Sequence, residues 1–321
     1  MISVRPIHFI FFFLVSLIFT YAPLAAETAA ITDYRPIFRA GRDSSGQIRI
    51  AIRKYNSNSI PYFLIVNPAS MDTFAVKASA FNFSGDISLD ALRKTSFVKA
   101  LDRYTALPCK LQNHGAVRAE YPVPGMFLTV DLCPSRRPFE KLFFTILGDL
   151  CSGKRVGTPV AIAVTGKWME NHRDELVWII QQIRERRLAV TWVNHSATHP
   201  YDPGVPLERN FLLSPGIDLE HEVLETEQLL LKNGLIPSPF FRFPGLVADG
   251  KLLQELRGLA LIPVGSDAWL AKGEIPTSGS FILVHGNGNE PLGISKVLQL
   301  LHNPGEVKML PLGDAFTASG K

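Results

Sequence analysis

Cysteine is scarce in this chain, and its three cysteines are far apart. Among 321 residues they stand at Cys109, Cys133 and Cys151, without any Cys-x-x-Cys pair or Cys/His zinc-ribbon spacing. In an oxidising compartment three cysteines can form at most one disulfide within the chain, and the sequence does not show which two would pair. We expect Cys133 to be a small buried filler, and not a nucleophile, because free cysteine packs as a small hydrophobe.

An excess of charge of either sign is also lacking. The chain has 33 lysines and arginines against 29 aspartates and glutamates, which gives a formal net charge of +4. So mild a balance does not indicate a nucleic-acid partner, and we predict none. Internal repeats and low-complexity tracts are absent as well.

Apolar runs long enough to cross a bilayer are lacking too. Arg5 precedes the uncharged residues 9–21, which fall short of the about 20 residues that a spanning helix needs, and small residues follow up to Ala26. This order is typical of a secretory signal peptide, and a retained anchor is the alternative. We therefore predict that residues 1–26 are removed and that the protein is periplasmic or secreted, with no stable membrane span.

Two regions of different pattern follow. Residues 27–124 carry strand signals separated by turn residues, and we predict a β-rich N-terminal region of unknown role. The strand signals are residues 47–53, 62–66 and 74–81. Residues 125–321 alternate short apolar runs with helical stretches, which is typical of parallel strands joined by crossovers. The second region is therefore predicted to be a separate α/β domain.

The most informative residues of the second region are His195 and His199. They are four residues apart and directly follow an apolar run, so that both imidazoles can face one cation from a single turn. Because a residue before proline is steered away from helical geometry, Pro200 favours a single turn or a loop for His199 over a long helix.

Four other segments accompany this pair in a fixed order. They are Leu128-Thr-Val-Asp-Leu-Cys-Pro134, Arg242-Phe-Pro-Gly245, Ser266-Asp-Ala-Trp269 and Leu283-Val-His285. With His195-Ser-Ala-Thr-His199 they resemble the five motifs of the polysaccharide deacetylase family, which has the NodB homology domain and is also called carbohydrate esterase family 4. Five matches in order are far more specific than any single one. The resemblance covers about the last two hundred residues.

This resemblance implies a fold and a reaction. The fold is an α/β distorted (β/α) barrel of about seven parallel strands, with its chemistry at the carboxyl ends of the strands. The reaction is metal-dependent hydrolysis of N-acetyl or O-acyl groups on an envelope or extracellular polysaccharide. In it His195 and His199 are metal ligands, Asp131 is the general base and His285 the general acid. The cofactor is expected to be a divalent metal, with zinc as the first candidate.

One departure from the family concerns the metal. The family's second aspartate, its third metal ligand, is Leu132 here, and leucine has no donor atom. The site either keeps two histidines with extra waters, or takes Asp131 or Asp202 as a ligand, or has lost both metal and activity. The last case is the rival hypothesis, a non-catalytic glycan-binding pseudoenzyme on the same fold.

The remaining motif residues have supporting roles in this interpretation. Arg242 orients Asp131 through a charge-assisted hydrogen bond, and Asp267 is the candidate carboxylate that keeps His285 charged. A further set of residues is expected to bind or shape the substrate groove, with Trp269 stacking on a sugar ring. These substrate-binding candidates are Pro244, Trp269, Leu283 and Asn287.

Overall fold

The computed structural model describes residues 29–81, 83, 87–150, 156–302 and 308–318. The predicted signal peptide and Cys151 lie outside these ranges. Within them, no helix has both the length and the apolar character needed to span a bilayer.

The N-terminal region forms a four-stranded antiparallel sheet in simple chain order. Its strands are β1 (Ile31–Arg42), β2 (Ile48–Ser57), β3 (Ile60–Val66) and β4 (Thr73–Lys77). A 3-10 turn follows at Ala78–Ala80, and then come two short helices, α1 (Leu89–Arg93) and α2 (Ser96–Tyr104). The β-rich region predicted before residue 125 is therefore present, with the helical segment as an addition.

A second sheet contains seven strands, all parallel to their neighbours. They are β5 (Phe127–Leu132), β6 (Thr158–Val164), β7 (Leu188–Asn194), β8 (Pro237–Phe241), β9 (Ile262–Pro263), β10 (Ala268–Trp269) and β11 (Phe281–His285). Their order across the sheet is β10-β11-β5-β6-β7-β8-β9. The predicted distorted (β/α) barrel of about seven parallel strands is confirmed.

Helices connect these strands, as parallel pairing requires. The helices are α3 (Lys141–Asp149), α4 (Gly166–Asn171), α5 (Arg173–Arg184), α6 (Leu219–Lys232), α7 (Gly250–Gly258) and α8 (Pro291–Leu301). Short 3-10 turns lie at Leu207–Arg209, Phe211–Leu213, Pro244–Leu246, Leu270–Lys272 and Leu312–Phe316.

The central strand β5 is buried along its whole length, and its two faces have different neighbours. Leu128, Val130 and Leu132 belong to the apolar cluster formed with the surrounding helices. Phe127, on the opposite face, belongs to the cluster formed with the N-terminal sheet. Because side chains alternate along a strand, Thr129 and Asp131 lie on the same face as Phe127. The barrel interior therefore runs from an apolar floor to a polar carboxyl end.

A buried ion pair joins the N-terminal sheet to helix α6. Arg53 of β2 donates from Nε and Nη2 to the two carboxylate oxygens of Glu227 on α6, at 2.7 and 2.9 Å. The Tyr34 hydroxyl donates to the same carboxylate at 2.8 Å, and Arg53 also donates to the carbonyl of Leu259 at 2.7 Å. The N-terminal region and the barrel thus share one core, although a boundary near residue 124 separates their sheets.

Candidate functional site

The motif residues meet at one end of the seven-stranded sheet. Asp131 is the penultimate residue of β5 and His285 the last of β11, and the two are direct partners in the register of these neighbouring strands. His195 and Arg242 come immediately after β7 and β8, which also pair with each other. Adjacent parallel strands therefore bring four residues from distant parts of the chain to one edge.

Asp131 is held from below by Arg242. Both side chains are buried, and Nη1 of Arg242 donates to Oδ1 of Asp131 at 2.6 Å and to the hydroxyl of Thr129 at 2.8 Å. Nη2 of Arg242 donates to the carbonyl of Gly265 at 2.8 Å. A guanidinium fixed by several acceptors holds the carboxylate in one orientation, with Oδ2 directed towards the histidines. This is the contact that the sequence assigned to Arg242.

The contacts of its two ring nitrogens orient the side chain of His195. Nδ1 lies 2.8 Å from the carbonyl oxygen of Arg242, so the Nδ1–H tautomer donates there. Nε2 then presents its lone pair to the site, 3.5 Å from Sγ of Cys133 and 3.7 Å from Oδ2 of Asp131. This is the tautomer that a metal-ligating imidazole needs.

His199 lies in a loop, as Pro200 predicted, with a left-handed φ of 47°. Its ring centroid is 4.9 Å from that of His195. The loop is tied down on both sides: Asn194 accepts from the backbone of Ser196, and the buried Glu222 of α6 accepts from the backbone and hydroxyl of Thr198. Such contacts offset the strain of a left-handed residue, which costs about 1–3 kcal/mol. Sequence reasoning missed Glu222, which has no motif around it.

Cys133 lies at the centre of this group. One potential donor set is Cys133, His195 and His199, and another is Asp131, Cys133 and His285; in each, the ligand atoms lie within 4.8 Å of one another. Burial alone would raise the pKa of the Cys133 thiol, but the charges of His199 and His195 and their hydrogen bonds hold this pKa well below its usual value. The burial of Cys133 that the sequence predicted is confirmed, and the two histidines beside it were not expected.

Of the alternatives for a third ligand, Asp131 lies beside the histidines, with Oδ2 3.7 Å from Nε2 of His195, whereas positions 132 and 202 are placed elsewhere. Leu132 is fully buried in the apolar cluster between the sheet and the helices, so an aspartate at 132 would enter the core and not the site. Asp202 is exposed and accepts from the backbone of Gly204 in a turn. Neither position offers a donor to the histidine pair.

His285 has a carboxylate partner that differs from the expected one. Its Nδ1 lies 2.8 Å from Oε2 of Glu290, which also accepts from Nε1 of Trp269 at 2.8 Å. Burial alone would lower the pKa of His285, but hydrogen bonds with Cys133 and Glu290 hold this pKa well above its usual value. Asp267, the residue named from sequence, instead accepts from the backbone of Phe281 at 3.0 Å. Glu290 takes the place expected for Asp267 because it lies in the short segment between β11 and α8, close to His285.

The substrate-binding candidates fall into two groups. Pro244 and Leu283 are buried, and Asn287 is buried and donates to the carbonyl of Cys133 at 2.9 Å. Trp269 is partly exposed beside His285, with ring centroids 5.9 Å apart. Nζ of Lys272 lies 3.6 Å from the centre of the tryptophan ring and covers one of its faces. Through its bond to the backbone carbonyl, Asn287 holds Cys133 in position, a role that the sequence did not indicate.

Two kinds of comparison identify similar proteins. Residues 32–86 match the family model of the RP012 protein N-terminal domain, which lies within the N-terminal region. Among solved structures, a family 4 carbohydrate esterase from Bacillus anthracis is 16% identical with a TM-score of 0.46, over 73% of this chain and 94% of that one. The chitin deacetylase from the fungal pathogen Colletotrichum lindemuthianum is 15% identical with a TM-score of 0.43, over 66% and 95%.

A CE4 family pseudoenzyme from Bacillus anthracis is also similar, at 11% identity and a TM-score of 0.41, over 60% of this chain and 65% of that one. Enzymes and a pseudoenzyme thus share the similarity. Two of these three solved structures are named as members of carbohydrate esterase family 4, the family that the sequence motifs resemble.

Proposed function

We propose that this protein is an exported, metal-dependent hydrolase that removes acetyl or other acyl groups from a polysaccharide of the envelope or the extracellular medium. The observation that carries the proposal is the pairing of Asp131 with His285 across neighbouring strands, beside two histidines with converging rings. A base, an acid and a cation site at one end of a barrel are the parts that metal-assisted acyl hydrolysis needs.

His195 and His199 would hold the divalent ion. The donor chemistry fits, because Nδ1 of His195 is already engaged by a backbone carbonyl and Nε2 faces the other donors of the site. When bound, such an ion polarises the scissile carbonyl and makes a water molecule more acidic. Zinc suits imidazole ligands in an open site.

The proton transfers fall to the chain's own side chains. Asp131 would accept a proton from the attacking water through Oδ2, because Oδ1 is held by Arg242. His285 would donate a proton to the leaving nitrogen or oxygen, since the contact with Glu290 favours its charged form. The two groups approach the reacting carbon from the neighbouring strands β5 and β11.

A polysaccharide substrate is proposed from the resemblance and from the exposed part of Trp269, whose ring lies beside that of His285. An aromatic face is suited to the apolar face of a sugar ring. Export is proposed from the charge and apolar pattern of residues 1–26.

The proposal is tested by acetate release from N-acetylated glycans, measured with the wild type, Asp131→Asn and His285→Ala. Because general acid or base catalysis contributes about 10²- to 10⁴-fold, each variant is expected to lose turnover by that order, while glycan affinity changes much less. Elemental analysis of each sample shows whether it carries metal.

His221→Ala, an exposed histidine on α6, serves as the matched control and should leave turnover unchanged. A folded, metal-loaded wild type that binds chitin-like, peptidoglycan-like or exopolysaccharide substrates and releases no acyl group from any of them would show a binding protein instead. That result would replace the hydrolase by the pseudoenzyme.

A further inference from the structure

We infer that the thiolate of Cys133 is the third protein ligand of the metal, which makes the site a Cys-His-His centre. The inference rests on the proposed function, because it concerns the ion that His195 and His199 would hold. Leu132 stands where the family has its third metal ligand, and leucine has no donor atom. The cysteine stands one residue further along the chain.

The distances support a sulfur ligand. A tetrahedral zinc with Zn–S of about 2.3 Å and Zn–N of about 2.0–2.1 Å separates the sulfur and nitrogen ligand atoms by about 3.6 Å. Sγ of Cys133 lies 3.5 Å from Nε2 of His195, and the donor atom of His199 lies within 4.8 Å of both. The three donors are therefore close to the spacing of a first coordination shell without the ion.

The strand explains why residue 133 reaches the site and residue 132 does not. Thr129 and Asp131 are on the inner face of β5, and the next position with the same direction is Cys133. Leu132 has the opposite direction and packs among the helices. Asn287 holds the carbonyl of Cys133 at 2.9 Å, which fixes the chain immediately after the strand.

The carboxylates near the site are otherwise engaged. Asp131 gives one oxygen to Arg242, and the proposed reaction uses the other as the base. Glu290 is bound to His285 and Trp269, and Glu222 to the backbone and hydroxyl of Thr198. Among the side chains that the structure describes, Cys133 is thus a donor beside the histidine pair that the proposed proton transfers do not use.

A thiolate ligand changes which ions the site accepts. Thiolate and imidazole donors suit zinc and cobalt, whereas magnesium and calcium prefer oxygen donors. We therefore expect zinc or cobalt to bind with high preference over magnesium and calcium. A centre with a carboxylate in the third position would discriminate less strongly against the hard cations.

X-ray absorption of the zinc protein tests the ligand directly. The expected result is one sulfur neighbour at about 2.3 Å, with nitrogen and oxygen neighbours at about 2.0–2.2 Å. The cobalt protein should show the charge-transfer absorption of a thiolate bound to cobalt. Both measurements report the metal's surroundings and do not depend on turnover.

Matched variants identify the sulfur. Cys109→Ser/Cys151→Ser leaves Cys133 as the only cysteine and should keep the sulfur neighbour, whereas Cys133→Ser should lose it together with at least about tenfold in zinc affinity. Cys133→Asp offers a carboxylate in the same direction, so it should bind zinc through nitrogen and oxygen only. Circular dichroism confirms that each variant is folded.

Zinc bound by nitrogen and oxygen alone in the wild type would overturn this inference, and so would an unchanged sulfur neighbour in folded Cys133→Ser. These failures are distinct from a failure of the proposed function. A zinc–sulfur contact in a protein that releases no acyl group would keep the Cys-His-His centre and remove the hydrolase.

Discussion

Two buried clusters of charged side chains lie in different parts of the molecule, and they are built differently. In the cluster that joins the N-terminal sheet to α6, Arg53, Glu227 and Tyr34 bond to one another, and Arg53 also bonds to backbone carbonyls. In the cluster at the carboxyl end, Asp131 is paired with Arg242 and His285 with Glu290. Around them a thiol and two imidazoles converge on each other.

The difference separates a structural cluster from a functional one. A buried charge is tolerated when the protein satisfies it, and the Arg53–Glu227 pair is satisfied on both sides. At the carboxyl end, three atoms of the type that metals prefer lie close together. Hydrogen bonding among them does not by itself explain why all three converge on one point. Burial alone does not distinguish the two clusters, whereas the direction of their donor atoms does.

The largest effect is expected at the cluster that joins the N-terminal sheet to α6. Glu227→Ala leaves the Arg53 guanidinium buried without its partner, so the free energy of unfolding should fall by about 3–5 kcal/mol. Denaturant titration measures this loss, and zinc affinity should stay unchanged in the folded fraction. Glu225→Ala, two residues earlier on α6 and partly exposed, is the control and should change stability by less than about 0.5 kcal/mol. Equal losses in both variants would remove the distinction between the clusters.

A smaller effect is expected when Glu290, the carboxylate that pairs with the proposed general acid His285, is changed. Glu290→Gln keeps the shape of the side chain but removes the charge that faces His285, and a hydrogen bond to a charged group contributes about 1.5–3 kcal/mol. We therefore expect turnover to fall by about 10- to 100-fold with little change in stability. Asp267→Asn is the comparison, because the sequence favoured Asp267 for this role. A larger loss of turnover in Asp267→Asn would restore that assignment.

The positions of the main site residues were predictable from sequence, and the reason is geometric. Asp131, His195, Arg242 and His285 each end or follow an apolar run. Parallel strands place such positions at one edge of a sheet. The order of the motifs then gave their roles. Two N-terminal strands, β2 and β4, were found where apolar and polar residues alternate, and β3 was found at a compact apolar run.

The parts that sequence missed depend on contacts that no local pattern records. β1 contains Pro36 and two irregularities in its register with β2, so its alternation is broken. Glu290 reaches His285 only because of the turn after β11. Cys133 had one available signal, since it stands two residues after Asp131 and continues the same face of β5.

The central claim is that the donors at the carboxyl end converge to hold a metal ion, and zinc-dependent stability tests it most directly. Free zinc at 100 times its dissociation constant should raise the free energy of unfolding of the wild type by about 2.7 kcal/mol, because zinc binds the folded chain. This increment should disappear in His195→Ala and His199→Ala and remain in His221→Ala. The same zinc-dependent increment in the wild type and in both site variants would contradict the account.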